Sequence, residues 1–273
     1  MAEQIVSPGV FTRENDQSFI TQQPVEVGAA IVGPAVKGPV EIPTLVTSYS
    51  EYVNKFGSTF VSGGQSYSFL TGNSAYNYFQ NGGNTLLVTR VTNGTFTSAT
   101  ASIANTTAQA FKLKTISEGT IMNSDGTLGS DGQLSTGTED NVRWEISFAD
   151  SGSGTFNLLI RQGNDITNDK IVLETYAGVS LDPFQDNYIA KVIGDQNQTL
   201  VSDADGNKYL EITGSYANKS NYVFVDEVLT PTPNFFNNTG SAASTAFKEA
   251  IPTVGSGSFG IATGDLLGQA PAL

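Results

Sequence analysis

The stretch AAIVGPAVKGPVEIPTLVTSYSEYVNKFG at residues 29–57 decides the fold predicted for this chain. It begins with the apolar run AAIVG, which Gly33 and Pro34 close, and a short apolar run bounded by such turn residues is typical of a buried strand. Ser48 and Glu51 then have the Ser-x-x-Glu spacing of a helix capping box, and apolar residues and a glycine follow. The stretch therefore predicts a strand followed by a short capped helix.

The same reasoning extends downstream to residue 95. A second helix is predicted at about residues 66–80, where apolar and aromatic side chains lie near helical spacing before an Asn-Gly-Gly sequence. The run TLLVTRV at residues 85–91 predicts another strand. Two strands with two helices between them indicate a small α/β core unit at residues 25–95.

Residues 1–24 precede this unit and hold few apolar side chains. Val10, Phe11, Phe19 and Ile20 are too sparse to build a core of their own. The segment is therefore predicted to be an extended N-terminal arm that needs the surface of a partner.

From residue 96 to residue 228 the sequence is typical of short strands. VRWEISF at residues 142–148 alternates apolar and polar side chains, which places Phe148 on the inner face and Arg143 on the outer face. TFNLLI at residues 155–160 repeats the alternation after a glycine-rich turn, so the two runs predict a hairpin. The whole chain is accordingly assigned to the α+β class.

The β-rich segment is predicted to be an inserted domain, barrel-like or sandwich-like, with one helix over residues 183–193. Residues 96–228 hold 18 acidic and 8 basic side chains, which leaves −10 of the total charge of −13 in this segment. Because such a charge favours solvent, the segment is expected to face outward. Residues 229–273 are interpreted as a linker or as the start of an incomplete further domain.

The chain has 273 residues, a net charge of −13 and neither Cys nor His. These absences exclude disulfides, thiolate nucleophiles, Ser-His-Asp triads and His/Cys zinc sites. The negative charge disfavours nucleic acid and membrane surfaces as partners. No run approaches the roughly 18 apolar residues of a membrane span, and no signal-peptide pattern opens the chain, so synthesis in a cytoplasm is expected. These features favour a structural or binding protein over an enzyme. No cofactor is expected.

Three short motifs resemble chemical sites but lack an essential feature of each. Lys37 precedes the second glycine of GPAVKGP at residues 33–39, and proline follows where a phosphate loop needs Ser or Thr. Asp203 begins DADGN, whose glycine comes too early for a calcium loop, so a solvated turn is predicted. Asp182 and Asp186 lie one helical turn apart, which the start of a helix explains without catalysis. No catalytic, cofactor-binding or metal-binding residue is predicted.

Taken in order, several segments resemble the tail sheath proteins of contractile-tailed, myovirus-type bacteriophages. They are SPGVFTREND (7–16), the stretch at 29–57, YFQNGG (78–83), TLLVTRV (85–91), FKLKTISEGTIMN (111–123), FNLLI (156–160), LETYAGVSLDP (173–183) and NYIAKVI (187–193). Each segment alone is weak evidence. The resemblance rests on the segments occurring together in the order and with the spacing of the family. Members of that family are considerably longer, so the chain corresponds to the N-terminal part of the family's length.

The resemblance implies a structural subunit that stacks in six-membered rings around a tail tube and contracts to drive the tube through the host envelope. It implies homo-oligomeric contacts and contacts with the tail tube, baseplate and tail terminator proteins. The expected location is the virion tail sheath, assembled in the host cytoplasm. The arm would add a strand to a sheet of a neighbouring subunit, which makes its side chains the candidate subunit contacts. These candidates are Val10, Phe11, Arg13, Phe19 and Ile20.

Two other functions stay open. A sheath-like subunit of a bacterial contractile injection particle would use the same arm and core, and the morphology of the source particle distinguishes it. An adhesin or carbohydrate-binding module would rest only on the acidic, β-rich residues 96–228 and their aromatic side chains. Glycan binding by that segment alone would distinguish this third function.

Overall fold

The structure of the chain is a computed structural model that describes residues 28–236, 240 and 243–269. These residues form an α+β fold with few helices and several small sheets. The strands are β1 (Ala29–Gly33), β2 (Thr44–Val46), β3 (Thr59–Ser62), β4 (Gln65–Ser68), β5 (Leu86–Arg90), β6 (Ser98–Ala104), β7 (Gln109–Glu118), β8 (Val142–Asp150), β9 (Thr155–Gln162), β10 (Val172–Ser180), β11 (Asn197–Ser202), β12 (Lys208–Thr213), β13 (Val223–Val228) and β14 (Gly255–Ser258). The α-helices are α1 (Tyr49–Phe56), α2 (Leu70–Gln80), α3 (Ile189–Ile193) and α4 (Thr245–Ala250).

The small α/β unit contains the two predicted strands, β1 and β5, and the predicted helix α1. Its sheet has the strand order β1-β5-β2, with β1 parallel and β2 antiparallel to β5. Tyr52 and Phe56 of α1 pack with Leu86 and Val88 of β5, and all four side chains are buried. This unit therefore has a hydrophobic core of its own.

Ser48 and Gly57 mark the two ends of α1. Ser48 Oγ accepts a hydrogen bond from the backbone N of Glu51 at 3.2 Å, which is one half of the predicted capping box. The Glu51 carboxylate reaches one residue further back than in the standard box, to the backbone N and the hydroxyl of Thr47, each at 2.8 Å. Gly57 ends the helix with a φ of 72°, which glycine adopts without steric cost.

The second predicted helix is shorter than expected, because α2 begins at Leu70 and not near residue 66. Residues Gln65–Ser68 instead form β4, which pairs with β3 across a turn at Gly63 and Gly64. Both glycines have a positive φ, 58° and 77°, as a two-residue hairpin turn requires. The two-glycine turn therefore favours a strand at residues 65–68, although the aromatic residues downstream have helical spacing.

The β-rich part consists mainly of two antiparallel sheets, with the orders β13-β7-β6 and β10-β9-β8-β14. Their apolar faces share one hydrophobic core, in which the ring centroids of Phe111 on β7 and Phe156 on β9 lie 5.6 Å apart. Neither sheet closes on itself within the described residues, so the barrel form of the expected domain is not found. Two packed sheets correspond to the sandwich-like form.

The predicted hairpin is formed by β8 and β9, but the alternation of β8 breaks near its end. The apolar side chains of β9 are buried as predicted. Phe148 was predicted to point inward and is 53% exposed, because a bulge shifts the register between Ile146 and Phe148. Arg143, which was predicted to face outward, is buried under neighbouring loops.

The helix predicted over residues 183–193 is also shorter, since α3 begins at Ile189. The preceding residues form turns that Asp182 holds. Its carboxylate accepts hydrogen bonds from the backbone N of Phe184 and of Phe235, both at 3.0 Å. These two hydrogen bonds hold the backbone in turns, so the helix does not begin before Ile189.

Several of the described residues after 228 pack with the segments before them. β14 pairs antiparallel with β8, and Phe259 joins the core of the two sheets. Leu266 packs with Phe60 and Phe69 of the small unit in a further hydrophobic cluster. The domain limits at residues 95 and 228 stay predictions.

Candidate functional site at the junction of the two parts

The arm residues proposed as subunit contacts lie outside the described residues, so their contacts stay a prediction. β1 follows the arm directly and is an edge strand of its sheet, since the strand order is β1-β5-β2. Val32 of β1 is 68% exposed. Among the described residues, β1 therefore has one side without a paired strand.

Arg90, the last residue of β5, lies at the junction between the small unit and the β-rich part. Its side chain is fully buried, and Nη1 donates hydrogen bonds to the backbone O of Gly38 at 2.7 Å and of Glu118 at 2.8 Å. The guanidinium also lies 4.9 Å from the ring centroid of Phe96. Burial lowers the pKa of Arg90 to about 10, against the opposing effect of the nearby Glu118 charge, so the side chain stays charged at neutral pH.

Glu118, the last residue of β7, completes the junction from the other side. Its Oε2 accepts a hydrogen bond from the backbone N of Val40 at 3.1 Å, and its own backbone N donates to Gly38 O at 3.2 Å. Burial raises the pKa of the Glu118 carboxyl, although the Val40 N–H and the Arg90 charge oppose the shift. One buried cation and one partly buried carboxylate therefore join β5, β7 and the loop after β1.

An ion pair also crosses this junction. Lys37 Nζ lies 3.2 Å from Asp140 Oδ1, and both side chains are close to nine-tenths buried. Burial raises the pKa of Asp140, and the Lys37 charge opposes this. Lys37 is the residue that suggested a phosphate loop in the sequence, and the structure places it in a salt bridge.

A cleft of about 330 Å³ opens beside this junction. Its polar lining is mostly neutral, and Glu118 and Lys55 are the charged groups on it. Lys55 is already engaged by Glu51 Oε1 at 2.8 Å. The lining residues are Pro39, Ile42, Thr44, Lys55, Ser98, Ile116, Ser117, Glu118, Gln196, Asn197, Gln198, Asn218, Ser220, Asn221 and Phe224.

A buried ionic cluster lies inside the β-rich part, away from the junction. Arg161 Nε and Nη2 bind the two oxygens of Asp165 at 2.6 and 2.8 Å, and Arg161 Nη1 binds Glu145 at 2.8 Å. Arg143 donates to the backbone O of Gly132 at 2.7 Å. A bidentate pair of this kind fixes the loop after β9 against the sheet. Sequence reasoning missed the cluster, although two arginines at strand positions with acidic neighbours were a visible signal.

The carboxylates considered from the sequence do not form a reactive pair. Asp182 is fully buried and holds backbone N–H groups, whereas Asp186 is exposed. Asp203 closes a turn by accepting from the backbone N of Asn207 at 2.8 Å. Within the described residues, no group of three or more acidic side chains is placed to hold a metal ion. No helix among them has the length and apolar character needed to cross a membrane.

Comparisons with known proteins give matches among solved structures alone. No family model matches the chain, and no curated protein matches it. The chain is similar to the crystal structure of a sheath tail protein from Listeria innocua, with a TM-score of 0.40 and 11% identity over 88% of this chain and 35% of that one. It is also similar to a sheath tail protein from Desulfitobacterium hafniense, with a TM-score of 0.28 and 12% identity over 89% of this chain and 41% of that one.

The matched part spans less than half of each of those two chains. At TM-scores of 0.40 and 0.28, neither structure establishes the family of this chain.

Proposed function

We propose that this chain is a structural subunit of a contractile phage tail sheath, which polymerises as stacked six-membered rings around the tail tube and contracts during host entry. The observation that carries the proposal is the family order of the segments between residues 7 and 193. Composition alone would not reproduce that order and spacing. The proposed location is the virion tail, with the tube, baseplate and terminator proteins as partners.

The geometry of β1 supports a role for the arm in joining subunits. An arm that departs from an edge strand can reach a neighbouring copy without leaving a gap in its own core. Backbone hydrogen bonds would hold it in the neighbour's sheet, and its alternating side chains would set the register. The residues that would do so are Val10, Phe11, Arg13, Phe19 and Ile20.

The contacts at the junction suit a protein that transmits force between its two parts. A subunit that moves as the sheath contracts must transmit force between its core unit and any outward-facing part. Arg90, Glu118, Lys37 and Asp140 couple the two parts through buried, charge-assisted contacts. We propose that residues 25–95 contribute to the sheath wall and that residues 96–228 face outward.

Electron microscopy of the purified protein tests the proposal. The full chain should form tubes with sixfold rings, and a variant lacking residues 1–24 should remain folded but form none. The variant Phe11→Ala/Phe19→Ala should form far fewer tubes, whereas Thr12→Ala/Ser18→Ala, which leaves all five candidate contact residues in place, should assemble as the wild type does. Monomers under every salt condition tested would contradict the proposal, and a lost thermal unfolding transition on deletion would show that the arm packs within its own subunit.

A sheath-like subunit of a bacterial contractile injection particle would behave in the same way in this experiment. An image of the source particle separates the two, because a phage tail ends in a capsid.

A further inference from the structure

The sequence contains two Asn-Gly pairs. The first pair, Asn81 and Gly82, follows α2, and the second pair, Asn93 and Gly94, lies in the link between β5 and β6. In such a pair the backbone nitrogen of glycine can attack the side-chain carbonyl carbon of asparagine, because glycine has no side chain to obstruct the approach. Both asparagines are exposed, and both glycines have a positive φ, 88° and 92°. Exposure and glycine conformation therefore do not distinguish the two pairs.

Hydrogen bonds at the end of α2 hold the first pair. The Gly82 backbone N donates to Phe79 O at 3.2 Å, and Asn81 Nδ2 donates to Asn77 O at 2.7 Å. The Asn81 backbone N also donates to Asn77 O, at 3.1 Å. The glycine N–H and the side-chain amide, which are the two reacting groups, each have to give up a hydrogen bond before they can meet.

The reacting groups of the second pair are not held in this way. Within the described residues, the Gly94 backbone N and the Asn93 side-chain amide have no hydrogen-bond partner. The side-chain amide of Gln269 instead binds the Asn93 backbone, because its Oε1 accepts from Asn93 N and its Nε2 donates to Asn93 O at 2.7 Å. Rotation of the Asn93 carbonyl group during the attack breaks the second of these bonds, which is exposed.

We propose that Asn93 is a site of spontaneous modification, at which the chain converts this asparagine into aspartate and isoaspartate with water as the co-reactant. The Gly94 nitrogen forms a bond to Asn93 Cγ while the bond from Cγ to Nδ2 breaks, and ammonia leaves with the proton of the Gly94 nitrogen. One water molecule then opens the cyclic imide. Opening at Cγ gives aspartate, and opening at the main-chain carbonyl gives isoaspartate, whose main chain runs through the side-chain carbons.

The product changes the link that brings Phe96 to Arg90. Asn93 lies between Arg90, at the end of β5, and Phe96, whose ring centroid is 4.9 Å from the Arg90 guanidinium. Isoaspartate adds a backbone carbon to this link, and either product adds a negative charge. Isoaspartate therefore disturbs both the Gln269 contact and the placement of Phe96. This effect does not depend on the proposed sheath function.

Peptide mapping by mass spectrometry tests the proposal on the folded, full-length protein. The protein is incubated in mildly alkaline buffer made with water enriched in heavy oxygen, which marks products formed during the incubation. The change of mass from amide to acid separates this reaction from isomerisation at Asp-Gly pairs, which lose no nitrogen. We expect Asn93 to be converted about ten times faster than Asn81, because two more hydrogen bonds have to open at Asn81.

The variant Asn93→Gln is the matched control. It keeps an exposed amide, but the attack has to close a larger ring and is slower, so no labelled product should form at this position over the same period. In urea, where the hydrogen bonds of α2 are lost, the two Asn-Gly pairs of the wild type should react at similar rates.

Three results would overturn the proposal. They are no labelled product at Asn93, a rate at Asn81 equal to or above that at Asn93 in the folded protein, and a difference between the pairs that persists unchanged in urea. The last result would trace the difference to the neighbouring residues in the sequence and not to the fold.

Discussion

Buried charged side chains are the residues of this protein that most need a tertiary explanation. Arg90, Arg143 and Arg161 are each at most 3% exposed. Burying a cation costs on the order of several kcal/mol unless hydrogen bonds and countercharges compensate for this cost. Arg161 has Asp165 and Glu145 as countercharges, and Arg90 has two backbone carbonyls and Glu118 nearby. Removing a partner would therefore cost more than the pair itself contributes.

The environment of Glu118 predicts that the free energy of unfolding depends on pH. Burial raises its pKa above the ordinary value of 4.5, so the folded chain binds this proton more tightly than the unfolded chain does. Its contribution to stability is complete below the unfolded pKa and is lost as the pH rises through the folded pKa. We expect the free energy of unfolding of the wild type, relative to Glu118→Gln, to fall as the pH rises from 4.5 toward neutrality.

Urea titrations at a series of pH values, followed by the fluorescence of Trp144, measure this difference. Glu51→Gln is a control of opposite sign. Burial raises the Glu51 pKa, but the hydrogen bonds from Lys55 and Thr47 together lower it below 4.5. Its stabilising effect should therefore be present above 4.5 and be lost as the pH falls. A pH-independent difference for Glu118→Gln would contradict the raised pKa of the Glu118 carboxyl.

At the scale of the elements, signals between neighbouring residues predicted the structure well. The strand at Ala29–Gly33, the capped helix α1 and the β8–β9 hairpin are found where their turns, caps and alternation place them. A bulge in β8 exposes Phe148, and the errors in the helices are at boundaries, where α2 and α3 start later than predicted. In both cases a turn held by glycines or by Asp182 competes with the helix.

The cap of α1 gives the prediction at this scale. Ser48→Ala removes the acceptor for the Glu51 backbone N and should lower the free energy of unfolding by about 1 kcal/mol in urea titrations. Asn54→Ala, at an exposed position inside the same helix, is the control and should not lower it, because alanine suits a helix interior. If both variants lose the same stability, the capping interaction is not the cause.

At the scale of the whole molecule, charge is distributed unevenly. Residues 96–228 hold −10 of the −13 charges, whereas the remaining segments are close to neutral. Copies brought together in an assembly would repel mainly through the β-rich part, over a range set by salt. This distribution agrees with the proposal that the small unit forms the wall and the acidic part faces solvent.

Assembly should therefore depend on ionic strength. We expect light scattering to show a lower concentration threshold for tubes at about 0.5 M than at about 0.02 M sodium chloride, because salt screens the repulsion. Asp131→Asn/Asp169→Asn neutralises two exposed carboxylates and should need less salt than the wild type. Tubes that dissolve as salt is added would show that attractive ion pairs, and not screened repulsion, control assembly.

The sequence by itself determined the local elements, the acidic character of the β-rich part and the order of segments that suggests a sheath subunit. Turn residues, caps and alternation act between residues a few positions apart, so they can be read without the fold. Only the tertiary structure decided that, within the described residues, the two sheets pack without closing and Arg90 joins the two parts. These features depend on which faces and loops meet across long sequence separations, and a single sequence carries no signal for such meetings.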